Sequence, residues 1–193
     1  MSTAVLPPSP SVPAAARVAT GEGPRPSVAQ TGVWIGIATI SMSFAALTSA
    51  LVVRQSSAPD WQHFQLPPLL YLNTLALLVS SATLEISRRR RTVAALNATL
   101  VLGLLFVFGQ VLAWRQLAAQ HLFLASGPRS AFLYVFTALH ALHVLGGLGG
   151  LLYVQRRLAG AVLAPTTFKA AALYWHFMAI LWVYLLTLLT IRG

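Results

Sequence analysis

TGVWIGIATISMSFAALTSALVV, residues 31–53, runs without one charged side chain. At about 1.5 Å per residue, a helix of this length crosses the roughly 30 Å hydrocarbon core of a bilayer. Four further stretches read the same way. Residues 69–87 carry one charge, Glu85, near one end, and residues 93–114, 131–154 and 170–191 carry none. In hydrocarbon the backbone must satisfy its own N–H and C=O groups, which favours the helix for each. The expected fold is therefore an all-α integral membrane bundle of five transmembrane helices. The connections are short, so consecutive helices are expected to pack antiparallel.

Composition points the same way. Of 193 residues, 57% are hydrophobic and 8% charged, and the mean hydropathy is +0.74. A soluble domain carries about 25% charged residues, and this chain could not cover a water-facing surface. It has no cysteine, which removes disulfides, thiolate catalysis, iron–sulfur clusters and CxxCH haem attachment. Residues 1–30, MSTAVLPPSPSVPAAARVATGEGPRPSVAQ, are rich in Pro, Ala and Ser and contain no apolar run. They lack the h-region of a signal peptide and read as a disordered cytoplasmic tail that the mature protein keeps, leaving 31–193 as the membrane domain.

Basic residues set the expected orientation. The tail, the 88–92 turn and the 155–169 connection hold nine: Arg17, Arg25, Arg88, Arg89, Arg90, Arg91, Arg156, Arg157 and Lys169. The opposite side holds four, Arg54, Arg115, Arg129 and Arg192. The reading is a multi-pass protein of a bacterial inner membrane, N-terminus cytoplasmic and C-terminus outside. The net charge of +10 and the run Arg88–Arg91 could suggest nucleic acid, but a basic run between two spans is a topology signal that also meets lipid head groups. Nucleic acid is not an expected partner. Glu85 and Arg89 stand four apart in the favourable order for a helix pair.

Polar residues at membrane depth are functional candidates. Here they are Asn73, Thr74, Gln110, His140, His143 and His176. No carboxylate lies in a central section, so the chain alone is poorly equipped as a proton pump. His140 and His143 share a helix face. Such a pair can bind a metal given further ligands, can ligate haem with His176 across the bundle, or can hold helices together by hydrogen bonds. Gly146 and Gly150 form GxxxG, as do Gly32 and Gly36, a spacing that permits close helix approach. At about 1.5 Å per residue, His143 and His176 come to similar heights and are expected to face the interior, with His140 a turn nearer the outside.

Several motifs, in order, resemble subunit III of haem–copper respiratory oxidases. Thr137, His140, His143, Val144 and Gly147 match T-x-x-H-x-x-H-V-x-x-G of the penultimate helix. Tyr174-Trp175-His176-Phe177 with Trp182 is similar to the YWHF…W of the last. Pro68, Asn73-Thr74, Ser80-Ser81 and Thr83 resemble the family's P…NT…SS.T stretch, Gly32 and Trp34 its G-x-W opening, and Gln110 with Trp114 the end of the next helix. Five helices resemble the short bacterial form. The chain departs at three positions where the family has acids, here Ile40, Ala113 and Ala179, and Glu85 stands where the family tends to have an uncharged residue.

The resemblance implies a non-catalytic accessory subunit of a cytochrome c or quinol oxidase complex, supporting aerobic electron transport by stabilising the catalytic subunit. It implies no redox centre or metal in this chain, bound phospholipid, and haem and copper in partner subunits I and II. It gives the histidines a structural role. The other readings are a small haem-binding membrane cytochrome using His140 or His143 with His176, and an accessory subunit of a nitric oxide reductase.

Overall fold

A computed structural model describes residues 28–57, 67–160 and 165–192. Residues 1–27, which hold most of the stretch read as a tail, lie outside the described residues. Five helices account for nearly all the rest: α1 (Val28–Ser57), α2 (Leu69–Arg90), α3 (Val93–Ala119), α4 (Pro128–Ala159) and α5 (Pro165–Ile191). All five are long and apolar enough to cross a membrane. Most run past the uncharged stretches, because Arg54, Arg88, Arg89, Arg90, Arg115, Arg156, Arg157 and Lys169 are still helical. Arg and Lys are good helix formers, and their long stems let the charged heads reach water from a helix end.

The ends have local causes. Arg91 takes the left-handed conformation at φ 50° and stops α2, a common helix ending. Ser87 Oγ then donates to the Thr92 carbonyl at 2.9 Å, so two residues turn α2 into α3. Pro128 opens α4, where its missing N–H and fixed φ cost nothing. The preceding connection is closed by Ser126, whose hydroxyl accepts from Phe123 N at 2.8 Å and donates to the His121 carbonyl at 3.0 Å.

Helices α2, α3, α4 and α5 form a ring closed by α5 against α2, and α1 lies outside it in the groove between α4 and α5. Side-chain bonds fix the directions. Thr74 meets Trp182 and Ser80 meets Trp175, so α2 and α5 are antiparallel. Trp114 meets Thr137 and Asn97 meets Gln155, so α3 and α4 are antiparallel. Thr48 meets Tyr184 and Gln55 donates to the Arg192 carbonyl, so α1 and α5 run parallel. The expectation that consecutive helices pack together fails for α1, which touches α5 and α4 but not α2 among the described residues. A two-residue turn can only make α2 and α3 neighbours. The eleven residues 58–68 can reach at most about 36 Å, enough to join α1 to a helix it does not touch.

Trp175, Trp182, Phe44, Phe106 and Phe136 are fully buried in the core. Packing matters more here than in water, since lipid tails are as apolar as the side chains and give no hydrophobic drive between helices. The glycines that permit close approach are not those of the GxxxG pairs. A Cβ at Gly32, Gly36, Gly146 or Gly150 would meet nothing within 4 Å. At Gly103 it would lie 2.7 Å from Leu148 and 2.8 Å from the Trp175 ring, at Gly109 it would strike the Asn73 amide, and at Gly147 it would come within 3.1 Å of Tyr174. Gly146 and Gly150 instead border an open groove of about 410 Å³ between α1, α4 and α5, walled by Val33, Tyr153 and Tyr174.

Gly103→Ala should therefore cost about 1–3 kcal/mol of overpacking and lower the melting temperature in mild detergent. Gly150→Ala should leave it unchanged or raise it. Equal effects of the two would contradict this packing.

Candidate functional site

An indole N–H inside hydrocarbon needs an acceptor, since a polar group buried there without one is costly. Three tryptophans solve this the same way. Trp182 Nε1 donates to Thr74 Oγ1 at 2.9 Å, and Trp175 Nε1 donates to Ser80 Oγ at 3.0 Å, both from α5 to α2. Trp114 Nε1 on α3 donates to Thr137 Oγ1 on α4 at 3.0 Å. Each accepting hydroxyl in turn donates to a carbonyl of its own helix: Thr74 to Leu70 at 2.8 Å, Ser80 to Leu77 at 2.7 Å and Thr137 to Leu133 at 2.7 Å. Thr83 and Thr99 share a further bond between α2 and α3 at 2.9 Å. Trp34, by contrast, is 57% exposed on α1.

The three histidines take three different places. His140 is fully buried against the rings of Phe106 and Trp182, with centroids at 5.7 and 5.0 Å. Neither of its nitrogens has a hydrogen-bond partner among the described protein atoms. His143, one turn on, is only half-buried. Its Nδ1 lies 2.7 Å from the Leu139 carbonyl of its own helix, and its own carbonyl accepts from Tyr174 at 3.1 Å. His176 is half-buried on α5, its Nδ1 bonded to Ser81 Oγ on α2 and its Nε2 3.9 Å from Glu85 Oε2. The depth reading faced His143 and His176 inward; His140 is the inward one, because α4 turns residues 137, 140, 144 and 147 toward the ring.

Asn73 and Gln110 are also buried, at 4% and 1% exposure, and Gln110 has no partner at either end of its amide. The basic turn is placed as its charge asks. Arg88 grips Glu85 through Nε at 2.7 Å and Nη2 at 2.6 Å, and Arg89 Nε adds a third bond at 2.6 Å. Arg90 and Arg91 are exposed beside them. The helix spacing gave Arg89 as the partner; Arg88 is the additional one.

This arrangement bears on the chemistry available. The histidines point to Phe106 and Trp182, to Leu139 and to Ser81, so no two of them converge on one ligand. Among the described residues no group of three or more His, Cys, Asp or Glu side chains could hold a metal. In the sequence, Ser80 and Thr137 stand out only as motif letters. The signal that points to them is the tryptophan itself, because an indole in mid-span needs an acceptor and a hydroxyl on a neighbouring helix can supply it.

The class is thus a polytopic helical membrane protein whose mid-membrane hydroxyls and indoles join helix to helix. Comparison with known proteins narrows it. Residues 38–193 match the family model described as cytochrome c oxidase subunit III, and the chain belongs to that family. It is 29% identical to a protein of Mycobacterium leprae (strain TN) named probable cytochrome c oxidase subunit 3, over 86% of this chain and 88% of that one. It is 29% identical to the cytochrome bo(3) ubiquinol oxidase subunit 3 of Pseudomonas aeruginosa, over 84% of each chain. It is 37% identical to the cytochrome c oxidase subunit 3 of Paracentrotus lividus, over 59% of this chain and 46% of that one.

His140→Leu should hold or raise the detergent melting temperature, because it removes two buried nitrogens that have no partner. Thr137→Val keeps shape but removes the acceptor of Trp114, and should destabilise by about 1 kcal/mol. A large loss of stability in His140→Leu would show that the imidazole bonds in a way this geometry does not contain.

Proposed function

We propose that this chain is subunit III of a haem–copper terminal oxidase, a non-catalytic subunit that stabilises the catalytic subunit I beside subunit II. Haem and copper belong to those partners. The single observation that carries the reading is the family match across residues 38–193, on a bundle whose buried indoles, Trp175 and Trp182, are bonded to a neighbouring helix of the same chain. The relatives include cytochrome c and ubiquinol oxidase subunits. Subunit III accordingly serves either electron donor, and the donor's own site lies in other subunits. The groove bordered by Gly146 and Gly150 opens toward the membrane and suits an acyl chain. The chain sits in the bacterial inner membrane with its N-terminus cytoplasmic, as the basic residues favour.

Two measurements test this. A mild-detergent pull-down of the full chain should recover a haem–copper subunit I, with one set of haems per subunit I that is unchanged in His140→Leu and His176→Ala. Recovery without any oxidase or reductase subunit would refute the assembly, and loss of one haem per chain in either variant would support the cytochrome reading. For topology, Thr92→Cys and Ala125→Cys lie at exposed positions of opposite ends. Ala125→Cys should label from outside intact cells and Thr92→Cys only after permeabilisation; the reverse pattern would invert the orientation.

A further inference from the structure

At the end of the bundle that carries the basic turn, α2 and α5 part to leave a pocket of about 200 Å³ lined by Glu85, Arg88, Lys169, Ala172, Leu173 and His176. Its charges are unevenly matched. A guanidinium has five N–H donors, and Arg88 commits two, Nε and Nη2, to Glu85. Three remain. Lys169 is exposed at the pocket's edge, and its ammonium has no ion pair among the described residues, which adds three more donors. On the acceptor side, Glu85 Oε1 already takes bonds from Arg88 and Arg89, whereas Oε2 takes only one. His176 Nε2, at 3.9 Å from Oε2, is too distant to fill the vacant lone pair. The pocket therefore offers six free cationic donors, an imidazole nitrogen and one carboxylate acceptor.

We propose that this pocket binds the phosphoethanolamine head group of a phospholipid. The phosphate meets the spare N–H groups of Arg88 and Lys169, and phosphate with guanidinium or ammonium makes the stronger class of hydrogen bond. The primary ammonium donates to Glu85 Oε2. Both charges of the head group are needed for the fit. A phosphate alone would face the carboxylate unscreened on one side, and a choline, having no N–H, could not fill Oε2. Ala172 and Leu173 give the pocket an apolar floor at the helix surface where the glycerol begins. The inference rests on the lipid-binding part of the proposed function and names the head group and the residues that read it.

The test is native mass spectrometry of the delipidated chain in detergent, titrated separately with phosphatidylethanolamine, phosphatidylcholine, phosphatidylglycerol and inorganic phosphate. Phosphatidylethanolamine should bind about tenfold more tightly than phosphatidylcholine, the ratio one charge-assisted hydrogen bond supports. Lys169→Gln, at an exposed position, should weaken every phospholipid. Glu85→Gln should abolish the preference for ethanolamine over choline while leaving binding itself. Equal binding of the three lipids would overturn the proposal, as would an ethanolamine preference that survives Glu85→Gln. Occupancy by inorganic phosphate matching that by phosphatidylethanolamine would assign the site to a free anion instead. Because the readout is lipid on this chain alone, its failure leaves membership of the oxidase complex standing, and failure of the pull-down leaves the lipid result standing.

Discussion

An indole N–H has one bond to give and, inside a bilayer, almost nowhere to give it. The placement of α5 follows from that constraint. Trp175 and Trp182 stand seven residues apart, two turns along one face, and their acceptors Ser80 and Thr74 lie six apart on the antiparallel α2. A slip of α5 by one turn would take both indoles off these acceptors, and an indole left without one carries the cost of a polar group buried in hydrocarbon. The same solution recurs once between α3 and α4. The accepting hydroxyls are small enough to sit at a tight interface, and by donating to their own helix they leave no hydrogen unplaced.

With α5 fixed against α2, the remaining packing is narrowly determined. Gly103 lets the far edge of Trp175 pass, and Leu148 closes behind it. Phe106, His140 and Trp182 form a triangle of mutually touching rings, with Phe106 edge to face against both Trp182 at 4.9 Å and His140 at 5.7 Å. The three positions where related subunits are expected to carry acids, Ile40, Ala113 and Ala179, are all buried, at 8%, 0% and 3% exposure. A carboxylate at any of them would need a paired or hydrogen-bonded partner in a low-dielectric interior. Gln110, one turn before Ala113, and His140 are left with unused polar atoms, the kind of residue that could have answered such an acid. The chain keeps its one described carboxylate, Glu85, at the membrane edge, where three N–H groups of two arginines hold it.

Much of the fold is legible in the sequence because lipid makes the rule simple: about twenty residues without charge is a span. The five helices, the Glu85–Arg89 pair and the family follow from that and from ordered motifs. What does not follow is which helix touches which. A helix in water shows its core by an apolar stripe, but in lipid both faces are apolar and the stripe disappears, so α1 gives no sign that it belongs on α5 rather than α2. Helix ends are missed where Arg156, Arg157 or Lys169 continues the helix. GxxxG misleads for a related reason: the spacing permits an approach without requiring one, and the glycines that do face a neighbour, Gly103, Gly109 and Gly147, do not share it. His140 and His143 are three residues apart, yet one lies wholly inside and the other at the edge, a difference set by the angle at which α4 meets the ring.

The central claim is that indole-to-hydroxyl bonds between helices hold this subunit in register. A double-mutant cycle measures it directly. Trp175→Phe, Ser80→Ala and the pair are compared with the parent chain by reversible unfolding in mixed micelles. The account requires a coupling of about 1 kcal/mol between the two positions, the size of an interhelical hydrogen bond in a membrane. Strict additivity, with no coupling outside error, would contradict it.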